Sequence, residues 1–116
     1  MTDDIVQRQR SICAEFGAVY SPPARHSVVG ISANIRSDVQ PLNGLRHPPE
    51  SSSNGWYFWR GEELSSDPHF FEPLHTEHLP TWCPDVIDYL SLPPGWRFLI
   101  AGAQVDVWFD GSLLNV

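Results

Sequence analysis

Hydrophobic and polar positions repeat along this chain with two different periods, and each period predicts its own kind of element. Residues 3 to 16 carry Ile5, Ile12 and Phe16 at i, i+7 and i+11 with Val6 and Cys13 beside them, which is the spacing of one helical face. Thr2, Asp3 and Asp4 stand where they cap that helix and complement its dipole. Gly17 is the stop, and "SPPARH" at 21 to 26 is a stiff connector, because two prolines continue no regular ladder. "SVVGISANI" at 27 to 35 is β-branched and alternating, which predicts a strand. In "NGWYFWRGEEL", 54 to 64, a strand at 55 to 60 sends Trp56 and Phe58 to one side and Tyr57 and Trp59 to the other. That strand is either covered on both faces, or covered on one and adhesive on the other.

Elsewhere the pattern is set by turn residues. Residues 36 to 54, with "PLNGL" and "HPPESSSNG", predict a long surface loop with a short extended piece near Val39. "SSDPHFF" reads as a capped single turn, Ser66 or Asp67 the cap and Pro68 the first helical residue. "PDVIDYL" at 84 to 90 repeats that logic and predicts a short helix burying Val86, Ile87 and Leu90. "GWRFLIAGAQVDVWFDG" at 95 to 111 predicts two strands, 96 to 101 and 105 to 110, joined around Gly102 and Gln104. Four strands, an N-terminal helix and short helical turns make an α+β fold with a small, mainly antiparallel sheet, as one domain over 1 to 116.

Charge narrows the function classes. The 116 residues carry 14 acids against 7 basic residues, a net charge of −7. Residues 1–55 hold five acids and five arginines, whereas residues 56–116 hold nine acids against Arg60 and Arg97, so the whole excess lies in the second half. Such a surface repels a phosphate backbone, so nucleic acid is not the expected partner. No apolar run is long enough to cross a bilayer, and "MTDDIVQRQR" lacks the basic start and apolar stretch of a secretory signal, which places the chain in the cytoplasm, away from membranes. Cys13 and Cys83 lie far apart and outside any CxxC spacing, and are read as reduced.

Candidate chemistry centres on "HTEHLPTWCPD", with His75, Glu77, His78, Cys83 and Asp85 inside eleven residues. Zinc accepts these atom types, but the spacing is not HExxH, and Pro80 and Pro84 break any helix across the stretch. A Cys83 nucleophile activated by His75 or His78 is chemically conceivable; next to Trp82 and a helix-opening proline, the cysteine reads better as a small buried hydrophobe. Glu62 and Glu63 are neighbours on a turn and face different ways, which makes a poor acid and base pair. GxSxG, P-loop and GxGxxG motifs are missing. Trp56, Phe58, Trp96, Phe98, Trp108 and Phe109, at strand spacing, read as core rather than as a ligand box. The residues themselves support no enzyme and call for no cofactor.

Taken in order, "VVGISANI", "RHPP", "NGWYFWRGEE", "DPHFFEPLHTEHL", "DVIDYLSLPPGWRFLI" and "DVWFD" resemble the immunity-protein superfamily of bacterial polymorphic toxin systems, in particular the immunity protein thirty-three-like domain. The resemblance spans residues 28 to 112 and leaves the helical segment 1 to 20 in front of it. It implies a non-catalytic protein that binds and neutralises a cognate toxin. On that reading Glu62, Glu63 and Asp67 are the candidate contacts, because an acidic array steers a basic partner. Two other readings stay open: a small cytoplasmic ligand- or peptide-binding domain with an aromatic pocket, and a hydrolase using His75, His78 and Cys83. Because those last three residues lack a ligand spacing, the fold is expected to survive chelation and dialysis unchanged; one zinc per chain, lost together with the fold, would contradict this.

Overall fold

The computed structural model describes residues 3–115, so Thr2, named above as a cap, lies outside the described residues. Helix α1 spans Asp3–Phe16 with both aspartates in its first turn. Strands β1 (Val28–Ser32), β2 (Leu42–Arg46), β3 (Ser53–Arg60) and β4 (Phe71–His75) follow. A 3-10 turn Thr76–His78, helix α2 (Leu79–Trp82) and a 3-10 helix Pro84–Tyr89 come next. The hairpin β5 (Trp96–Ala101) and β6 (Gln104–Phe109) and a 3-10 turn Gly111–Leu114 close the described chain. The six strands form one sheet in the order β4-β1-β3-β2-β5-β6. Only the β1 and β3 pair is parallel; the other four pairings are antiparallel.

Helical elements lie on one face of this sheet. Ile5, Ile12 and Cys13 of α1 pack with Val86, Ile87 and Leu90 against Val29, Ile31, Trp56, Phe58 and Phe98 of the strands. The α1 seam is polar at its centre: buried Gln9 donates from Nε2 to the Ile87 carbonyl at 2.8 Å and accepts at Oε1 from Ser91 Oγ at 2.9 Å. Both groups are satisfied, so burying them costs little. Cys13 donates to the Ser91 carbonyl at 3.4 Å, which ties the same two segments once more.

Two expectations fail in the strands. The predicted surface loop at 36 to 54 contains β2, which is buried throughout and sits between β3 and β5. Its turn-like residues have tertiary reasons. A side chain on Gly44 would run into the rings of Phe98 and Phe58, which reach toward each other across it with centroids 6.1 Å apart; glycine in a strand often marks such a close approach. Asn43 Nδ2 donates to the carbonyls of Gly61, Pro41 and Trp59 at 2.9, 3.3 and 3.3 Å, pinning the end of β3. The second failure is β4, a strand where a turn alone was expected. The turn is there, with Asp67 Oδ1 accepting from the His69 amide at 2.9 Å, and "FEPLH" then pairs with β1 along its whole length.

Arg46 is the polar centre of the molecule. It is 3% exposed, and its guanidinium donates to the carbonyls of Asn54 (3.0 Å), Ser21 (2.7 Å) and Leu92 (2.8 Å). The Leu90 carbonyl lies at 3.5 Å and takes its main bond from Trp56 Nε1 at 2.9 Å. The ion pairs among the described residues are Arg8 with Asp88 and Arg97 with Asp110, so carbonyl dipoles rather than a carboxylate hold the Arg46 charge. Burial pulls its pKa down to about 10. One side chain thereby joins the connector after α1, the start of β3 and the segment ahead of β5.

Replacing Arg46 by alanine strands two buried carbonyls and a partly buried one at roughly 1–3 kcal/mol for each buried group, so a loss of about 3 kcal/mol is expected in chemical denaturation. Arg46→Lys, which keeps the charge but not the planar fork, should fall between. An Arg46→Ala variant within about 0.5 kcal/mol of wild type, the range of ordinary surface changes, would contradict this account.

Cys13 and Cys83 are both free and buried, and burial pushes each thiol above the ordinary 9.0. In the unfolded chain the thiols ionise first, so their contribution is full below pH 9.0 and is lost as pH rises through the folded values. All seven basic residues are arginine, so no lysine titrates there. The lowered Arg46 value acts in the opposite direction, and only from about pH 10 upward. Stability should therefore fall just above pH 9, with a shallower slope in the Cys13→Ala, Cys83→Ala double variant; equal slopes in denaturation midpoint against pH would refute the assignment.

Candidate functional site

Among the described residues no α-helix lies on the second face of the sheet. Register places Gly30, Tyr57, Leu45, Arg97 and Trp108 in one row across five strands, and Trp59, Asn43, Leu99 and Asp106 in the next. Leu45 and Trp59 are buried here, with Tyr57, Phe70 and Phe71 half-buried around them and Leu113 closing the cluster. The cover comes from two short pieces of chain. One is the Gly111–Leu114 turn, held by His47 Nδ1 at 2.9 Å from the Leu113 carbonyl. Asp110 caps it, accepting from the Ser112 hydroxyl at 2.6 Å and amide at 3.1 Å while meeting Arg97 Nη1 at 3.2 Å. The Ser112 bonds, chiefly, hold the Asp110 carboxyl below its usual value.

The other cover is the loop 61–70, which carries all three predicted contact residues. Gly61, at φ 108°, is anchored by its amide to the Pro41 carbonyl at 2.9 Å and by its own carbonyl to Asn43. Glu62, exposed, borders a shallow hollow of about 400 Å³ with Gln40, Pro41, Asn43, Leu99 and Ala101 at the ends of β2 and β5. Glu63 is exposed beside it. Leu64, 50% exposed, lines a smaller hollow of about 160 Å³ with Leu45, His47, Tyr57 and Phe71. Asp67 is exposed too, but one carboxylate oxygen is committed to its own turn. Glu62 and Glu63 thus present free carboxylates, whereas Asp67 also shapes the loop.

Sequence reasoning missed part of this face. Trp108, on this face, and Phe109, on the helical face opposite Trp96, were expected in the core and are instead 38% and 52% exposed, because both stand on the edge strand β6. The signal was available: "VWF" breaks the alternation that the rest of "QVDVWF" keeps. Arg97 lies with its Cζ 5.1 Å from the Trp108 ring centroid, so the row ends in a cation held over an indole. Trp59 is 3% exposed and its Nε1 has no hydrogen-bond partner, a cost of about 1–3 kcal/mol concentrated under the loop.

The two other readings meet specific obstacles. Trp56, Phe58 and Phe98 are at most 1% exposed, with the first two stacked at 5.3 Å and Phe98 5.7 Å from Trp56. They offer no face to a ligand. His75 and His78 are exposed with ring centroids 6.1 Å apart, while Cys83 is 1% exposed in the core, its sulfur 4.0 Å from Arg60 Nη2. Burial raises that thiol, which disfavours a thiolate nucleophile. Among the described residues no three His, Cys, Asp or Glu side chains gather to hold a metal ion. No helix among them is long and apolar enough to cross a membrane.

Comparison with known proteins adds one finding. Neither the curated proteins nor the solved structures include a match to this chain. A family model, the Imm33-like domain, matches residues 8–110, from the second turn of α1 through the whole sheet to the Asp110 cap. The match thus includes the central β2, the open face and the loop laid over it, and the chain belongs to the Imm33-like domain family, an immunity-type protein.

Proposed function

We propose that this immunity-type protein works in the cytoplasm by binding a protein toxin and neutralising it without catalysis, and that the open sheet face with its acidic loop makes the contact. What supports the reading is the loop 61–70, which carries exposed Glu62, Glu63 and Asp67 and lays Leu64 and Phe70 against a face that no α-helix among the described residues covers. Asp106 adds a further exposed carboxylate in the same face, and its one arginine, Arg97, is already paired with Asp110. Apolar centre and charged rim are the usual division of a protein interface. The excess of carboxylates selects a basic partner surface, and charge of this kind acts first on the association rate. A partner with the complementary charge would be drawn to the rim and then seat an apolar side chain beside Leu64 and Tyr57.

The test uses the cognate toxin. Glu62→Gln, Glu63→Gln and the double variant should remain folded and associate more slowly in low salt, the double roughly tenfold, with the difference closing as salt shortens screening to about 10 Å at 0.1 M. Folded variants that associate at the wild-type rate in low salt would make the acids a solubility feature and move the interface elsewhere.

A further inference from the structure

The two edges of the sheet are built differently. The amide of Asp110 bonds the carbonyl of Gly95 at 2.7 Å, and the β5 and β6 register continues in step with it, Trp108 opposite Arg97 and Asp106 opposite Leu99. Antiparallel pairs alternate between bonded and non-bonded. The amides and carbonyls of Asp106 and Trp108 therefore face β5, and those of Val105, Val107 and Phe109 point outward. Trp96 agrees, since its amide bonds the Pro93 carbonyl and not Phe109 opposite it. At the far edge the Thr76 amide bonds the Ser27 carbonyl at 3.0 Å, so by the same alternation Phe71, Pro73 and His75 of β4 face outward. Pro73 has no amide hydrogen, and it blocks that edge at its centre, a common protection against strand addition. β6 has no proline, lysine or arginine, and Val105, Trp108 and Phe109 are 40%, 38% and 52% exposed along it.

The geometry points to a second copy of this chain as the occupant of the β6 edge, paired antiparallel about a two-fold axis through Val107. Charge selects that register. Centring on Val107 sets Val105 against Phe109 of the second copy and Asp106 against its Trp108, beyond which lies the guanidinium of Arg97 stacked on that indole. Centring one residue earlier would put Asp106 opposite Asp106, and one residue later would put Asp106 opposite Asp110. Like charges directly opposite destabilise a pair, whereas an acid beside an aromatic and a cation does not. In the selected register six backbone hydrogen bonds form, from Val105, Val107 and Phe109 of each copy, and the three exposed apolar side chains are covered. Two six-stranded sheets become one of twelve, and the loop 61–70 of each copy is left free.

Sedimentation of the full chain over a range of concentrations should show a rise from 13.1 kDa to twice that mass. Hydrogen exchange should slow at Val105, Val107 and Phe109 with concentration, while Asp106 and Trp108 stay slow throughout. Val105→Pro removes an outward amide without touching the β5 ladder, and Val105→Lys with Phe109→Lys keeps every backbone group; each should raise the dissociation constant roughly tenfold or more, with circular dichroism confirming the fold. A chain that stays at 13.1 kDa at every concentration, or a dimer that survives the lysine pair with fast exchange at 105, 107 and 109, would overturn the proposal.

Discussion

The guanidinium of Arg46 is the constraint on which the rest of the structure depends. A charge this deeply buried is costly unless hydrogen bonds surround it, and this one is surrounded by backbone carbonyls from three separate stretches of chain. Each stretch must come to the arginine in the right orientation. Ser21 brings the connector, and with it α1; Asn54 brings the entrance of β3; Leu92 brings the segment that leads into β5. Trp56 lies against the same centre, its indole nitrogen on the Leu90 carbonyl and its ring 5.8 Å from the guanidinium. The hydrophobic stack of Trp56, Phe58 and Phe98 is therefore built next to a fixed polar hub, which orients the helical layer over one face of the sheet and leaves the other face to loops.

That one-sided cover has a functional consequence. A sheet face closed by a ten-residue loop and a single 3-10 turn is cheaper to rearrange than one closed by helices, because few buried contacts are lost when such a segment moves. The unpartnered Trp59 indole nitrogen lies on that side, and so do the exposed carboxylates. The proposed contact with a toxin centres on the loop side of the open face and the proposed pairing on the outer edge of β6, and Asp106 is used by both.

Much of this was legible in the sequence, and what was not had tertiary causes. Helix α1, the strands at 28 to 32, 53 to 60 and 96 to 101, and the Pro84–Tyr89 turn follow from local periodicity and capping, which need no knowledge of neighbours. β2 was hidden because each of its informative residues answers to something distant in sequence: Gly44 to two phenylalanine rings, Asn43 to the end of β3, Arg46 to carbonyls up to forty-six positions away. β4 was hidden by Pro73, which reads as a breaker unless its edge position is known. At the site, the exposure of Glu62, Glu63 and Asp67 could be inferred from a glycine followed by acids, yet nothing local says which face the loop crosses. Trp108 and Phe109 were misplaced because aromatic residues at strand spacing look alike whether a helix covers them or not.

The central claim is that the open face, and not the helical one, meets the partner. Hydrogen exchange on the complex with the cognate toxin tests it directly. The account predicts new protection over 61–70 and at the Gly111–Leu114 turn, with α1 and Pro84–Tyr89 exchanging as in the free protein. Protection confined to α1 and Pro84–Tyr89, with the loop unchanged, would contradict it.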